Sequence, residues 1–210
     1  MERTGAKQGT VLMFSAGKPK HCNDVISRLR LKIGDDLGLK DANALAFCWV
    51  IDFPQYEWNE EEQKWDYMHN PFSMPKEEHL SFMEEHPEKV YADLYDVVLN
   101  GTELGSGAIR ISRPDVQRRV MKIIGFTDEE AESKFGFLLE AYKYGGPPHG
   151  GIGLGFDRIV ALMSGTSDIR EVIAFPKNKA AQCPMDGSPS EVEQKQLKEL
   201  HLQLNLPKKS

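Results

Sequence analysis

The dipeptide Asn100-Gly101 stands between two apolar runs, LYDVVL at 94–99 and TELGSGAIRI at 102–111. Such a pair accepts the positive φ of a two-residue hairpin turn, so it commits its flanks to antiparallel strands. With the turn there, Leu99 pairs with Thr102, Val98 with Glu103, Val97 with Leu104 and Asp96 with Gly105. Asp96 and Glu103 then share one sheet face as diagonal neighbours, about 7–8 Å apart at the backbone. If that face is solvent, the two acids carry no chemistry. If it is a site, a hard cation relieves their repulsion, and magnesium is commonly held by one or two carboxylates plus substrate phosphates. Arg110 follows Glu103 by seven residues, an odd number that in a regular strand puts it on the opposite face, paired with a surface acid. One bulged residue returns it to the acids. Gly105 and Gly107 are natural bulge residues, so a bulge within 105–107 is expected.

Around this hairpin the chain reads as strands followed by helices. GTVLMFS at 9–15 predicts a short strand, AGKPK at 16–20 a turn, and Asn23 or Asp24 the cap of a helix to about Gly34. ALAFCWVIDFP at 44–54 predicts a buried strand ended by Pro54, with Cys48 and Trp49 in the core. In YEWNEEEQKWDYM the acidic centre, flanked by aromatics, reads as an exposed loop joining a second strand to the first, while MHNPFSMP reads as irregular and KEEHLSFMEEHPEKV as partly helical. Pro114 starts a helix that Gly125 stops. Thr127 and Glu130 form a capping box for another, ended by Gly145. In SPSEVEQKQLKELHLQL, Ser188 is the expected cap of a last helix, with Pro189 in its first turn and Glu191 at the box position. The order is not βαβ, and hairpins followed by helices predict an α+β fold with an antiparallel sheet.

Composition narrows the function classes. No apolar run reaches spanning length, and MERTGAKQGT lacks the apolar stretch of a secretory signal. Three widely spaced cysteines and no CxxC pair predict free thiols in a reducing cytoplasm. The six histidines show no zinc-like spacing. A net charge of −6 argues against a general nucleic-acid binder. The basic groups at 28–32, 118–122 and 176–179 and the PKKS tail read as solvated faces.

GGIGLGFDR has the glycine density of a dinucleotide loop but not its spacing, because Phe156 stands where the third glycine belongs. It reads instead as a strand nearly free of side chains, from Gly150 to Gly155, against which a flat ligand can lie. Arg158 at the start of the following helix suits phosphate, through its forked donors and the helix N-terminus. The same pattern also serves a tight strand–helix corner with Arg158 in a surface ion pair.

Taken together, these segments carry a resemblance. GGPPHGGIGLGFDRIVALMSG resembles motif 3 of a class II aminoacyl-tRNA synthetase. YDVVLNGTELGSGAIRI, FCWVIDFPQYEW, MHNPFSMP and IREVIAFPKNKAAQCPMDGSPSEV resemble bacterial-type aspartyl-tRNA synthetases, in the same order and over nearly the whole chain. The resemblance implies an antiparallel sheet flanked by helices. It also implies activation of L-aspartate with ATP and transfer to the 3′ end of tRNA(Asp), with tRNA(Asn) left open. By the same resemblance, Glu103 contacts ATP and magnesium, and Asp96 helps hold the metal. Arg110 binds the aspartate side-chain carboxylate, His69 lines that pocket, and Gly155, Phe156, Asp157 and Arg158 bind ATP, with Arg158 on the phosphates. Glu103 and Arg158 are the candidate catalytic residues.

Asn70 departs from the pattern, since many relatives carry a second histidine there. Residues 1–40 resemble the end of the family's insertion domain, and residues 41–210 the C-terminal part of its catalytic domain. The anticodon-binding domain and motifs 1 and 2 have no counterpart, so the expectation is a C-terminal part, weak or inactive alone, of an enzyme that is a homodimer when whole. A stand-alone amino-acid or nucleotide-binding paralogue without aminoacylation activity is the alternative. An amidating relative such as asparagine synthetase fits the DFP and MHNPF segments less well.

Overall fold

The computed structural model describes residues 3–41 and 43–205, so the PKKS tail lies outside the described residues. The chain divides into two compact units, 1–46 and 47–210. In the first, α1 spans Pro19–Asp36. It begins earlier than the expected caps because Pro19 occupies its first turn, where a missing N–H costs nothing. Asp24 instead sits inside the helix and pairs with Arg28 at 2.9 Å. The strand expected at 9–15 does not form. Among the described residues of this unit no second strand stands beside it to satisfy its backbone groups.

The second unit holds strands β1 (Phe47–Pro54), β2 (Tyr56–Asn59), β3 (Lys64–Tyr67), β4 (Tyr91–Leu99), β5 (Thr102–Ile109) and β6 (Gly150–Leu154). Four of them make an antiparallel sheet in the order β1-β4-β5-β6. The helices are α2 (Pro114–Ile123), α3 (Asp128–Lys143), α4 (Phe156–Met163) and α5 (Gln194–Glu199). The fold is α+β, as the order of segments predicted.

The acidic centre of YEWNEEEQKWDYM turns as expected, but the strands it joins are β2 and β3 of a separate two-stranded sheet rather than a partner for β1, with Trp58 opposite Trp65 and their rings 5.4 Å apart. The main core lies beneath this hairpin, where Tyr56, Met83, Val90 and Ile111 meet Val116, Val120 and Ile124. Helix α2 turns Val116, Gln117, Val120 and Met121 inward, a spacing of one helical face. Helix α3 carries the expected capping box of Thr127 and Glu130.

Three further expectations need correction. β1 is not buried: Trp49 is 62% exposed, Cys48 is exposed, and the strand is an edge that pairs only with β4. Hydrophobicity marked it as a strand, but burial depends on what covers its faces. Ser188 caps no helix, and α5 starts six residues later at Gln194. The Ser188 groups are used within a loop, where Ser188 N donates to Asp186 Oδ1 at 2.9 Å and Ser188 O accepts from Cys183 N at 2.7 Å.

The third correction concerns the central hairpin. Leu99 pairs with Thr102 and Val98 with Glu103, as expected, but Val97 then pairs with Gly105 and Asp96 with Ser106. The bulge therefore falls at Leu104, just before the glycines.

Candidate active site

That bulge sets the parity of everything after it. Cross-strand partners share a face, so Asp96, Val98 and Glu103 lie on the same side as Ser106 and Ala108, and Arg110 continues that row. On β6 the same row meets Gly151 and Gly153. A methyl group on Gly151 would stand in open space, and on Gly153 it would touch only Ser106 O at 3.9 Å. The face thus has a floor of bare backbone beside its charges. Gly105 and Gly107 serve a different need. A Cβ on Gly105 would lie 2.7 Å from Gly153 O, and one on Gly107 2.3 Å from Tyr95 Cε2 and 2.4 Å from Gly151 O. On the reverse face the Tyr95 ring crosses Gly107, and its hydroxyl donates to Gly151 O at 3.1 Å. The glycines admit close approach; the bulge itself belongs to Leu104.

A second bulge between Ile51 and Phe53 brings Phe53 opposite Ala92. Asp52 takes a left-handed φ of 62° there and pairs with Lys76. Phe53 joins Ala92, Leu94 and Ala108 in a small cluster. His69 is exposed and sets its ring edge-on to Phe53 at 4.9 Å, which carries it over the same face.

Arg110 is half-buried. Its backbone N donates to His149 O at 2.9 Å and its Nη1 to Asn70 Oδ1 at 2.9 Å. Among the described residues no acid pairs with it. It opens on a cleft of about 510 Å³ shared with Asn70, Phe72, Tyr142, His149 and Gly150. His149 contributes its carbonyl to Arg110 and turns its Nδ1 to Pro147 O at 3.0 Å.

At the other end of the row, Arg158 Nη1 donates to Glu103 O at 2.8 Å and lies 3.2 Å from Glu103 Oε1. Gly155 N donates to Leu104 O at 2.7 Å, so the bulged carbonyl anchors the N-terminus of α4. Phe156 and Asp157 are exposed in the first turn of that helix. Both side chains of the Arg158–Glu103 pair are nearly half exposed, which makes the pair worth about 0–1 kcal/mol and readily exchanged for a stronger anion.

Asp96 and Glu103 present hard oxygen donors on one face, which suits magnesium. Among the described residues no group of three or more His, Cys, Asp or Glu is placed to hold an ion. A magnesium ion held by these two acids alone would have to draw its remaining oxygens from phosphate and water. Sequence reasoning marked Asn70 only as a departure and did not find its hold on Arg110, because the two stand forty positions apart.

One strand face thus carries Arg110, which no acid pairs with among the described residues, two acids and a bare glycine floor beside the N-terminus of α4. Residues 10–179 match the model of the class II tRNA synthetases (D, K and N), and the chain belongs to that family. It is 56% identical over 200 residues to the aspartate–tRNA(Asp/Asn) ligase of Treponema denticola, covering 95% of this chain and 34% of that protein. It is 48% identical over 206 residues to the aspartate–tRNA ligase of Macrococcus caseolyticus, covering 98% of this chain and 35% of that protein. The chain thus spans about a third of the length of the curated relatives it matches. Among solved structures, aspartyl-tRNA synthetase of Entamoeba histolytica matches with a TM-score of 0.51 and 23% identity, over 87% of this chain and 30% of that one, a likeness of fold. No helix among the described residues is long and apolar enough to cross a membrane.

Proposed function

We propose that this chain is the C-terminal part of an aspartate–tRNA ligase. On this reading residues 1–40 close the insertion domain and 41–210 form the C-terminal part of the catalytic domain. The observation that carries the reading is the single sheet face on which Arg110, Asp96 and Glu103 flank the glycine floor of β6.

The substrates are L-aspartate, ATP and tRNA(Asp), with tRNA(Asn) a second acceptor to be tested, in a cytoplasmic enzyme that is a homodimer when whole. Arg110 receives the side-chain carboxylate of aspartate through the N–H groups that Asn70 leaves free, a charge-assisted pair. His69, fixed edge-on to Phe53, closes the same pocket. The adenine and ribose lie along Gly151 and Gly153, with Gly155, Phe156 and Asp157 at the turn into α4. Arg158 leaves Glu103 for the phosphates. The α-carboxylate of aspartate attacks the α-phosphorus, the bond to the β-phosphate breaks, and pyrophosphate leaves with the electron pair. Charge grows on the phosphate oxygens in that step, and Arg158 stabilises it. Asp96 and Glu103 would hold a magnesium ion, which when bound would add charge neutralisation there.

The test is aspartate-dependent ATP–pyrophosphate exchange by the chain alone and fused behind the remainder of the Treponema denticola relative. The fusion is expected to exchange with L-aspartate and to lose about thirtyfold or more in kcat/KM on Arg110→Ala, since losing a buried charge partner costs about 2–5 kcal/mol. The chain alone is expected near background. No exchange by the fusion, or exchange with another amino acid, would overturn the assignment. Firm nucleotide or aspartate binding without exchange in either form would favour a binding paralogue.

A further inference from the structure

The loop from His69 to Ser73 is held from beneath by two buried amides. Gln117, fully buried, donates from Nε2 to Pro71 O at 2.7 Å, and Gln55, 2% exposed, donates to Ser73 O at 3.2 Å. Ser73 itself is fully buried and bridges Arg110 in strand fashion. On this support, one oxygen collects three donors: Asn70 Oδ1 accepts from Phe72 N at 3.0 Å, Ser73 Oγ at 3.1 Å and Arg110 Nη1 at 2.9 Å. A backbone N–H and a guanidinium N–H only donate, so the atom between them must be the carboxamide oxygen.

We propose that Asn70 is the positioning residue for Arg110: a neutral acceptor that fixes the guanidinium without cancelling its charge, reserving it for an incoming carboxylate. The proposal rests on the reading of Arg110 as the aspartate-binding residue. An acid at position 70 would hold Arg110 as well or better, but it would consume the charge that the ligand needs and would repel the ligand's own carboxylate. An apolar residue there would leave the charge intact but the guanidinium free to turn. Asparagine alone among these supplies an oxygen with no charge.

The experiment uses this chain labelled with ¹⁵N-arginine, as wild type, Asn70→Asp and Asn70→Ala. Rotation of the Arg110 guanidinium is read by NMR, and L-aspartate and L-asparagine are titrated to millimolar concentrations. The wild type is expected to show slow guanidinium rotation and a response to L-aspartate. Asn70→Asp keeps an acceptor for all three donors, so the loop keeps its fold. It should retain slow rotation while losing about tenfold or more in L-aspartate affinity, with L-asparagine unaffected. Asn70→Ala should rotate freely. Equal rotation in wild type and Asn70→Ala would overturn the positioning role. Undiminished L-aspartate affinity in Asn70→Asp, or no L-aspartate response in the wild type, would overturn the claim that the charge is reserved for a carboxylate. Failure of the fusion's exchange assay would instead strike the assignment of function.

Discussion

The two ends of the second unit are built to different standards. Around α2 and the β2–β3 hairpin, Met83, Val116 and Val120 have no exposed surface at all. At the sheet edges, Trp49, Ile51 and Leu154 are 62%, 59% and 58% exposed. The residue types are equally apolar, so composition does not explain the contrast. The core end has helices, a hairpin and short turns packed on one another, whereas β1 and β6 each have a sheet neighbour on one side only. The site face lies between the two, with Arg110 near the packed end and Glu103 toward the turn. Arg110 has a supported loop beneath it and a fixed partner. Arg158 and Glu103 lie in the open, where a half-exposed ion pair is easily exchanged.

The largest break in this contrast should come from matched truncations. Met83→Ala is expected to cost about 2–5 kcal/mol in urea unfolding, because the cavity opens in a filled core. Trp49→Ala should stay within about 1 kcal/mol, since most of its surface is already in water. Comparable losses would mean that β1 is covered in solution.

A smaller effect separates two glycines of the site sheet. Gly107→Ala must displace the Tyr95 ring and the Gly151 carbonyl and should cost about 1–3 kcal/mol. Gly151→Ala meets nothing within 4 Å and should leave stability almost unchanged, while its methyl roughens the nucleotide floor and raises the KM for ATP in the fusion. A Gly151→Ala variant with an unchanged KM would mean that the base lies elsewhere.

The smallest effect is electrostatic. Arg119 grips Glu84 through Nε at 2.5 Å and Nη2 at 2.9 Å, and these hydrogen bonds hold the Glu84 carboxyl below its ordinary value. A lowered folded-state pKa stabilises the fold above the unfolded value, roughly pH 4.3 for glutamate, and that contribution disappears as pH falls through the folded value. With both side chains more than a third exposed, the contribution is about 0–1 kcal/mol after screening. Glu84→Gln should therefore flatten the acid limb of the stability–pH profile slightly and leave neutral pH little changed. A steeper acid limb in the variant would reverse the sign of this account.

Much of the fold could be read before any coordinates. Asn100-Gly101 announced its hairpin and the first two pairs beyond it, because a two-residue turn leaves no freedom of register. Thr127 and Glu130 announced the start of α3, because a capping box is closed within four residues. The odd spacing of Glu103 and Arg110 called for a bulge, but its place at Leu104 depended on how β6 and α4 dock against β5. Ser188 had the chemistry of a cap and was drawn into another loop.

What the sequence determined by itself was local: turn, cap and strand signals, and through the shared segments the class II synthetase family. These rest on contacts a few residues apart or on patterns carried whole from relatives. What only the tertiary structure decided was long-range. The exposure of β1 follows from what fails to cover it, and the hold of Asn70 on Arg110 joins residues forty positions apart. No local preference encodes either one, because burial and a shared oxygen exist only once separate segments have met.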